Sequence, residues 1–256
     1  MFHMLMSLRE DRSADLSSFR WLFTGGSPMS PELRQSFERR FGIRPLQCYG
    51  SAETVAFAVS DPPGAGGGDD SVGTPLAGVA VRVLADDGTP LPPGEIGEIA
   101  IGSDGTGRYT TMKGYWRNPE ATAEAMPGGF TKTGDVGYLD EHGGLHLSDR
   151  KKDMIFAGGW TIFPGEVERV LLEHPAVEHA AVVGVPDARL GEVPRAYVQL
   201  HRGAIADAAE LIRFCRSRLA HYKAPREVEF VESMPRNALG KIVKRELRAR
   251  SGTALA

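Results

Sequence analysis

Between Pro31 and Phe41 the apolar residues Leu33, Phe37 and Phe41 recur at four-residue steps, which places them on one face of a helix. Ser30 stands in the N-cap position, Pro31 in the first turn and Gly42 just past the last apolar position, so the helix has marked ends. The stripe reads as core packing. Short apolar runs flank the helix. Residues 19–23 are predicted to form a buried strand leading into Thr24-Gly25-Gly26-Ser27, and residues 45–49 a second strand. Strand, helix and strand within about thirty residues suit a βαβ unit of a parallel sheet. Residues 2–10 read as the end of a helix.

From residue 72 to 147 the pattern is β-dominated. Val79, Val81 and Val83 alternate, Asp87-Gly88 turns the chain, and Ile96, Ile99 and Ile101 form a second run. Asn118-Pro119-Glu120 opens a short helix, and Gly143-Gly144 signals a hairpin. After Asp153 short strands alternate with helices: helix at 164–173, strands at 180–185 and 197–200, helix at 207–219, and a last helix beginning near Lys241. This shift in pattern sets a domain boundary at 149–152. There are no internal repeats. The Gly-rich stretch 64–70 reads as a linker. A phosphate-cradling loop needs its glycines to open a helix, and here Asp69-Asp70 follows them, which would repel phosphate.

Composition narrows the classes. The chain has 256 residues, 41% hydrophobic and 25% charged, with a net charge of -3, an ordinary soluble composition that argues against a polyanionic partner over the whole surface. Cys48 and Cys215 are far apart, without disulfide-framework or metal-ligand spacing, and imply a reducing, cytoplasmic setting. The start, MFHMLMSL, lacks a basic segment and a cleavage site, and no apolar run approaches the ~20 residues of a membrane span. The seven histidines show no HExxH pattern. His142 and His146 lie four apart around a Gly-Gly turn rather than on a helix, so a metal pair is not expected.

Several groups invite chemistry, each beside a plainer reading. Tyr49-Gly50-Ser51-Ala52-Glu53 ends a strand of the βαβ unit, where ligands of open α/β sheets bind. Asp135, in Thr133-Gly134-Asp135, is by itself a turn residue. Asp149-Arg150-Lys151-Lys152-Asp153 is by itself a solvated charge cluster, but it lies between two compositionally distinct regions, as a hinge does. Near the end, residues 236–250 hold six basic residues against one acid, Glu246. Without interleaved aromatics or a known module they do not imply nucleic acid.

Taken in order, TGD, the charged cluster, Gly158-Gly159-Trp160 and Pro235-Arg236-Asn237-Ala238-Leu239-Gly240-Lys241 resemble the adenylate-forming (AMP-binding) superfamily, of the acyl- or aryl-CoA ligase type. Gly97-Glu98-Ile99 and Gly114-Tyr115-Trp116 resemble its barrel segment. The resemblance implies the C-terminal portion of such an enzyme: a remnant of a large α/β N-terminal domain with a β-barrel-like subdomain, then a small α+β C-terminal domain. The expected division is 1–149 (βαβ remnant 1–70, β-rich part 71–149) and a mobile domain at 150–256. Asp135 and Arg150 are then expected on the ribose of ATP and Lys152 at the hinge. Tyr49, Gly50, Ser51, Gly25 and Gly26 would line the nucleotide site. Glu53 would reach Mg²⁺, and Gly158, Gly159 and Trp160 would line the CoA channel. Lys241 would bridge the acyl carboxylate and the α-phosphate. Ala52 stands where the family pattern has Thr and removes a hydroxyl that would contact phosphate. The family's phosphate loop ending in Pro-Lys-Gly is absent from these residues, so a further N-terminal portion or a partner chain is expected. The implied reaction uses a fatty or aryl acid, ATP and CoA, and is incomplete in this chain alone. The alternative is a non-catalytic truncated or split module that binds nucleotide, CoA or a partner chain.

Overall fold

A computed structural model describes residues 2–6, 18–26, 29–63, 71–238 and 240–252, and the chain divides into two compact units, Met1–Leu147 and Ser148–Ala256. It has mixed α/β architecture. Of the sequence expectations, residues 7–10, Ser27 and the Gly-rich stretch 64–70 fall outside the described residues.

The first unit opens with α1 (Phe2–Met6), β1 (Leu22–Gly25), α2 (Pro31–Phe41) and β2 (Pro45–Ser51). The α2 ends are as expected: Ser30 Oγ accepts from the Leu33 N–H at 3.3 Å, and Gly42 is the C-cap at φ 68°. Phe37 is buried against Phe2 and Met29, and Leu33 and Phe41 pack on the same cluster. Strands β1 and β2 run parallel, with Leu22 opposite Pro45 and Gly25 opposite Cys48, completing the βαβ unit.

The first strand departs from the expected 19–23 in both start and burial. It begins at Leu22, and Phe19, Trp21 and Phe23 are exposed. The reason is side-chain alternation. Leu22 packs on the α2 cluster, so its neighbour Phe23 must point to the opposite face; the sheet order is β1-β2-β3-β4.

Helix α2 is also tied by charge. Arg34 is fully buried, donates from Nε to the Pro45 carbonyl at 3.0 Å and pairs with Asp61, whose Oδ2 accepts the Gln47 N–H at 2.8 Å. Such a pair is strongly destabilising to break, because one charge is left buried without its partner.

Strands β3 (Ala56–Ser60) and β4 (Thr74–Pro75) complete this sheet in antiparallel fashion. A second, antiparallel sheet orders β5 (Val79–Leu84), β6 (Gly97–Ser103), β7 (Thr131–Leu139) and β8 (Leu145–Arg150), with α3 (Pro119–Ala125) between β6 and β7. Asn118 caps α3, its Oδ1 accepting from Ala121 N–H at 3.1 Å. Val79, Ile99, Ile101 and Leu145 share one core with Tyr49, Ala58, Val59 and Val72, which joins the two sheets. At the β7–β8 hairpin the Asp140 carboxylate accepts from the N–H groups of His142 and Gly144, each at 2.8 Å. His146 Nε2 lies 2.9 Å from the same carboxylate, and its ring stacks on Tyr138. Among the described residues no group of three or more His, Cys, Asp or Glu is placed to hold a metal.

The second unit contains β9 (Ile155–Ala157), β10 (Trp160–Ile162), α4 (Pro164–Leu172), β11 (Val177–Asp187), β12 (Gly191–Leu200), α5 (Ala208–Arg216), β13 (Glu227–Phe230) and α6 (Lys244–Gly252). Its sheet runs β10-β9-β12-β11, with β13 parallel to β12. Alternation in β11 and β12 serves two cores. Val182, Ala196 and Val198 pack with Val167, Leu171, Leu211 and Cys215 of α4 and α5. Ala181, Val183 and Tyr197 pack with Met234 and Leu247 on the α6 side. The last helix begins at Lys244 rather than near Lys241. The preceding residues are used otherwise: Ile242 bridges Arg236, and the Val243 N–H donates to the Pro235 carbonyl at 2.8 Å. No helix among the described residues is long and apolar enough to cross a membrane.

Candidate active site

In the first unit the candidate groups gather where β2 ends. Tyr49 is buried, and its hydroxyl donates to Asp135 Oδ2 at 2.8 Å, joining two positions 86 residues apart. Asp135 sits in β7 behind Gly134, whose φ of 72° is a left-handed conformation that glycine adopts without strain. This local twist accompanies a register irregularity between β6 and β7 at Glu98/Ala100. The Asp135 N–H donates to Thr133 Oγ1 at 3.2 Å, and that hydroxyl donates to the Ile99 carbonyl at 2.9 Å. The carboxylate is thus held from its backbone and from Tyr49 together.

Gly50 and Ser51 lead into a turn, residues 52–55. The buried Thr54 closes it: its Oγ1 accepts the Ser51 N–H at 2.7 Å, and its carbonyl accepts the Tyr109 hydroxyl. Glu53 projects from this turn. Tyr115 OH lies 3.3 Å from its Oε1, and the Met112 N–H donates to its carbonyl at 2.8 Å. Desolvation first, then the neighbouring Glu53 charge, push the Tyr115 hydroxyl pKa up, so it stays a donor at neutral pH. Gly25 and Gly26 are exposed at the end of β1. A Cβ on Gly25 would come within 2.8 Å of the Phe57 ring.

In the second unit the charged cluster is more than a solvated link. Asp149 Oδ2 accepts the Gly165 N–H at 2.6 Å, placing a carboxylate at the start of α4, whose own N-cap Phe163 has no side-chain acceptor. Asp149 Oδ1 also accepts the Arg150 N–H at 2.7 Å. Residues Lys151–Asp153 form a single 3-10 turn, with Lys152 exposed and Asp153 buried. Gly158 and Gly159, at φ 57° and 88°, make the tight turn between β9 and β10, and a Cβ on Gly158 would meet Leu190 at 2.8 Å. Trp160 follows, half-exposed and stacked on Tyr222 with ring centroids 4.8 Å apart. Lys241 is exposed on a loop closed by hydrogen bonds. Its N–H donates to Asn237 Oδ1 at 3.0 Å, its carbonyl accepts the Asn237 N–H at 2.9 Å, and Arg236 donates to the Gly240 carbonyl at 2.7 Å.

Known proteins resemble this chain in sequence and fold. The family model for AMP-binding enzyme matches residues 1–116, and that for the AMP-binding enzyme C-terminal domain matches residues 166–241. The chain belongs to the AMP-binding enzyme family. It is 44% identical over 246 residues to 2-succinylbenzoate–CoA ligase of Geobacillus kaustophilus, a match covering 96% of this chain and 48% of that protein. Against feruloyl-CoA synthase of an Amycolatopsis species it is 43% identical over 242 residues, covering 94% of this chain and 48% of that one. The solved structure of o-succinylbenzoate CoA synthetase from Bacillus subtilis, in complex with its acyl-adenylate intermediate, is 35% identical, with a TM-score of 0.82. That match covers 96% of this chain and 49% of the solved one. This AMP-binding enzyme chain therefore spans about half the length of the curated relatives it matches.

Within the first unit the fold joins Tyr49 to Asp135 and carries Gly50, Ser51 and Glu53 on the same strand end and turn. Gly25 lies opposite Cys48 on the neighbouring strand, one residue short of Tyr49. Within the second, Arg150 and Lys152 lie at its start, Gly158, Gly159 and Trp160 on one hairpin, and Lys241 ahead of the last helix. Sequence reasoning assigned Tyr115 to the barrel and passed over Thr54, Tyr109 and Tyr222. No spacing signal points to Tyr109, Tyr115 or Tyr222, because each meets a partner distant in sequence, whereas Thr54 closes a local turn with Ser51 three residues away.

Proposed function

We propose that these residues serve an AMP-forming acid–thiol ligase. A carboxylate attacks the α-phosphorus of ATP to give acyl-AMP and pyrophosphate. A CoA thiol then attacks the acyl carbon and expels AMP, giving the thioester. The observation that carries this reading is the Tyr49–Asp135 pair in a chain of this family. A carboxylate held by the hydroxyl of a buried aromatic residue near the end of β2 suits the hydroxyl pair of a ribose. In this reading Asp135 accepts from the ribose hydroxyls, joined by Arg150, and the Tyr49 ring packs beside the adenine, with Gly50, Ser51, Gly25 and Gly26 lining the nucleotide. Lys241 places its ammonium between the two anions that must approach, where a fixed cation favours the charge developing on oxygen. Lys152 is the hinge that turns the second domain between the two steps, and Gly158, Gly159 and Trp160 line the path of the thiol.

Glu53 fits Mg²⁺ as a single carboxylate steadied by Tyr115, since Mg²⁺ keeps several waters and substrate phosphates and needs few protein ligands. Bound there, the ion would neutralise phosphate charge. The domains are read as 1–149 and 150–256. The relatives include ligases named for aromatic acids and ligases named for long-chain fatty acids, which supports a carboxylic acid of either kind, fatty or aryl, as substrate. The buried thiols of Cys48 and Cys215 support a reducing, cytoplasmic setting.

The second reading, a non-catalytic module that binds nucleotide, CoA or a partner chain, is supported by the lack, in these residues, of a phosphate loop ending in Pro-Lys-Gly. Carboxylate-dependent exchange of pyrophosphate into ATP separates the two. We expect none from these 256 residues alone and exchange when the portion equivalent to the relatives' first half is joined to them. Robust exchange by the chain alone overturns the claim of incompleteness. Absence of exchange from the joined protein, with aryl and fatty acids alike, overturns the ligase reading.

A further inference from the structure

Helix α6 is tied to the rest of its unit at two points one turn apart. Lys244 Nζ lies 2.7 Å from Glu168 Oε1 of α4, and that carboxylate oxygen also accepts the Val182 N–H at 2.7 Å. Four residues on, Arg248 Nη2 donates to Asp153 Oδ1 at 2.9 Å and reaches the Lys152 carbonyl at 3.4 Å. Between these ties Leu247 is fully buried, and its carbonyl accepts the Tyr197 hydroxyl at 3.1 Å. The inner face of α6 is thus clamped by packing, and its polar flank by two ion pairs.

The second tie connects the two ends of the unit's sequence. Lys151–Asp153 is the single turn just after the division at Ser148, whereas α6 is the last helix and begins three residues after Lys241. Asp153 is buried, so its carboxylate is costly without a cation beside it. Its fixed position makes Arg248 a stop against which the opening turn is set.

We propose that Arg248 is a positioning residue. It locks the turn at which the second unit begins to the helix that follows Lys241, so that the turn and Lys241 move as one body. The use of that motion rests on the ligase reading above; the lock itself is a property of the second unit alone.

Amide hydrogen exchange on this chain tests it. In R248A, exchange is expected to rise about tenfold, the loss of one charge-assisted hydrogen bond, at 151–156 and at 241–247 together. The central strands β11 and β12 should keep the parent's protection. R248K should restore part of it at both segments, because an ammonium can still meet the carboxylate but does not reproduce the guanidinium fork. D153N should show the R248A pattern by removing the charge at the other end. If R248A does not fold, R248K and D153N carry the comparison. Opening of 151–156 with 241–247 unchanged overturns the proposal, as does a uniform rise across the whole unit. If the paired pattern appears while no acid supports ligation by the joined protein, the lock stands and the ligase reading falls.

Discussion

Replacing Tyr49 by Phe removes one oxygen and leaves the ring. The hydroxyl donates to Asp135 Oδ2 at 2.8 Å from a side chain that is 9% exposed, so little water is at hand to replace it. A hydrogen bond to a charged acceptor is worth about 1.5–3 kcal/mol. If all of it held Asp135 in its proposed ribose-binding position, nucleotide affinity would fall by roughly ten- to a hundredfold, at about 1.4 kcal/mol per decade. The Thr133 hydroxyl still holds the Asp135 N–H, so the carboxylate keeps part of its orientation. The expected loss is therefore near the lower bound, about tenfold in Kd for AMP. The ring packing is untouched, so the stability cost is limited to that hydrogen bond, and at about 2–4 °C per kcal/mol in a chain of this size Tm should drop by roughly 3–12 °C. Calorimetric titration of AMP into the parent, Y49F and D135N measures the effect. D135N, which removes the charge, should bind more weakly than Y49F. If Y49F binds AMP within twofold of the parent while D135N loses binding, the hydroxyl does not orient the carboxylate and the reasoning fails.

Two further outcomes follow from the same structure. In the joined enzyme, K241A should slow acyl-AMP formation by about 10²–10³ while leaving CoA attack on supplied acyl-AMP nearly unchanged, as single-turnover assays of each step would read; K241R should rescue poorly, because a planar fork does not replace a point charge. Burial pushes the Cys215 thiol up to about 11, so native protein at pH 8 should take up almost no iodoacetamide there and full labelling should need urea; rapid labelling without unfolding would refute its placement in the core.

Local rules wrote much of this molecule directly. Ser30, Pro31 and Gly42 mark the ends of α2 because capping is settled by residues next to one another in the chain. Apolar alternation located β5, the isoleucine run located β6 except for Ile96, which is exposed just ahead of the strand, and Gly143-Gly144 marked the β7–β8 hairpin, for the same reason. The candidate site residues were legible as motifs, since each is a short run with an unusual order of residue types. Errors came where an element's fate depends on what lies beside it. The apolar run 19–23 reads as a buried strand, yet its aromatic residues are exposed because they alternate with Leu22, which takes the face packed on the α2 cluster. The last helix starts late because Ile242 and Val243 bond backwards to Arg236 and Pro235.

The chain alone therefore determined which residue types are available for chemistry and roughly which elements carry them. Tertiary structure alone decided their partners. Tyr49 meets Asp135 across 86 positions, and Arg248 meets Asp153 across 95. The charged cluster shows the difference most plainly: as sequence its residues are equivalent solvated charges, but folding places Asp149 against the start of α4, buries Asp153 against Arg248 and leaves Lys152 exposed. A charge's environment is set by the groups that pack within a few ångströms of it, and linear spacing carries no record of them.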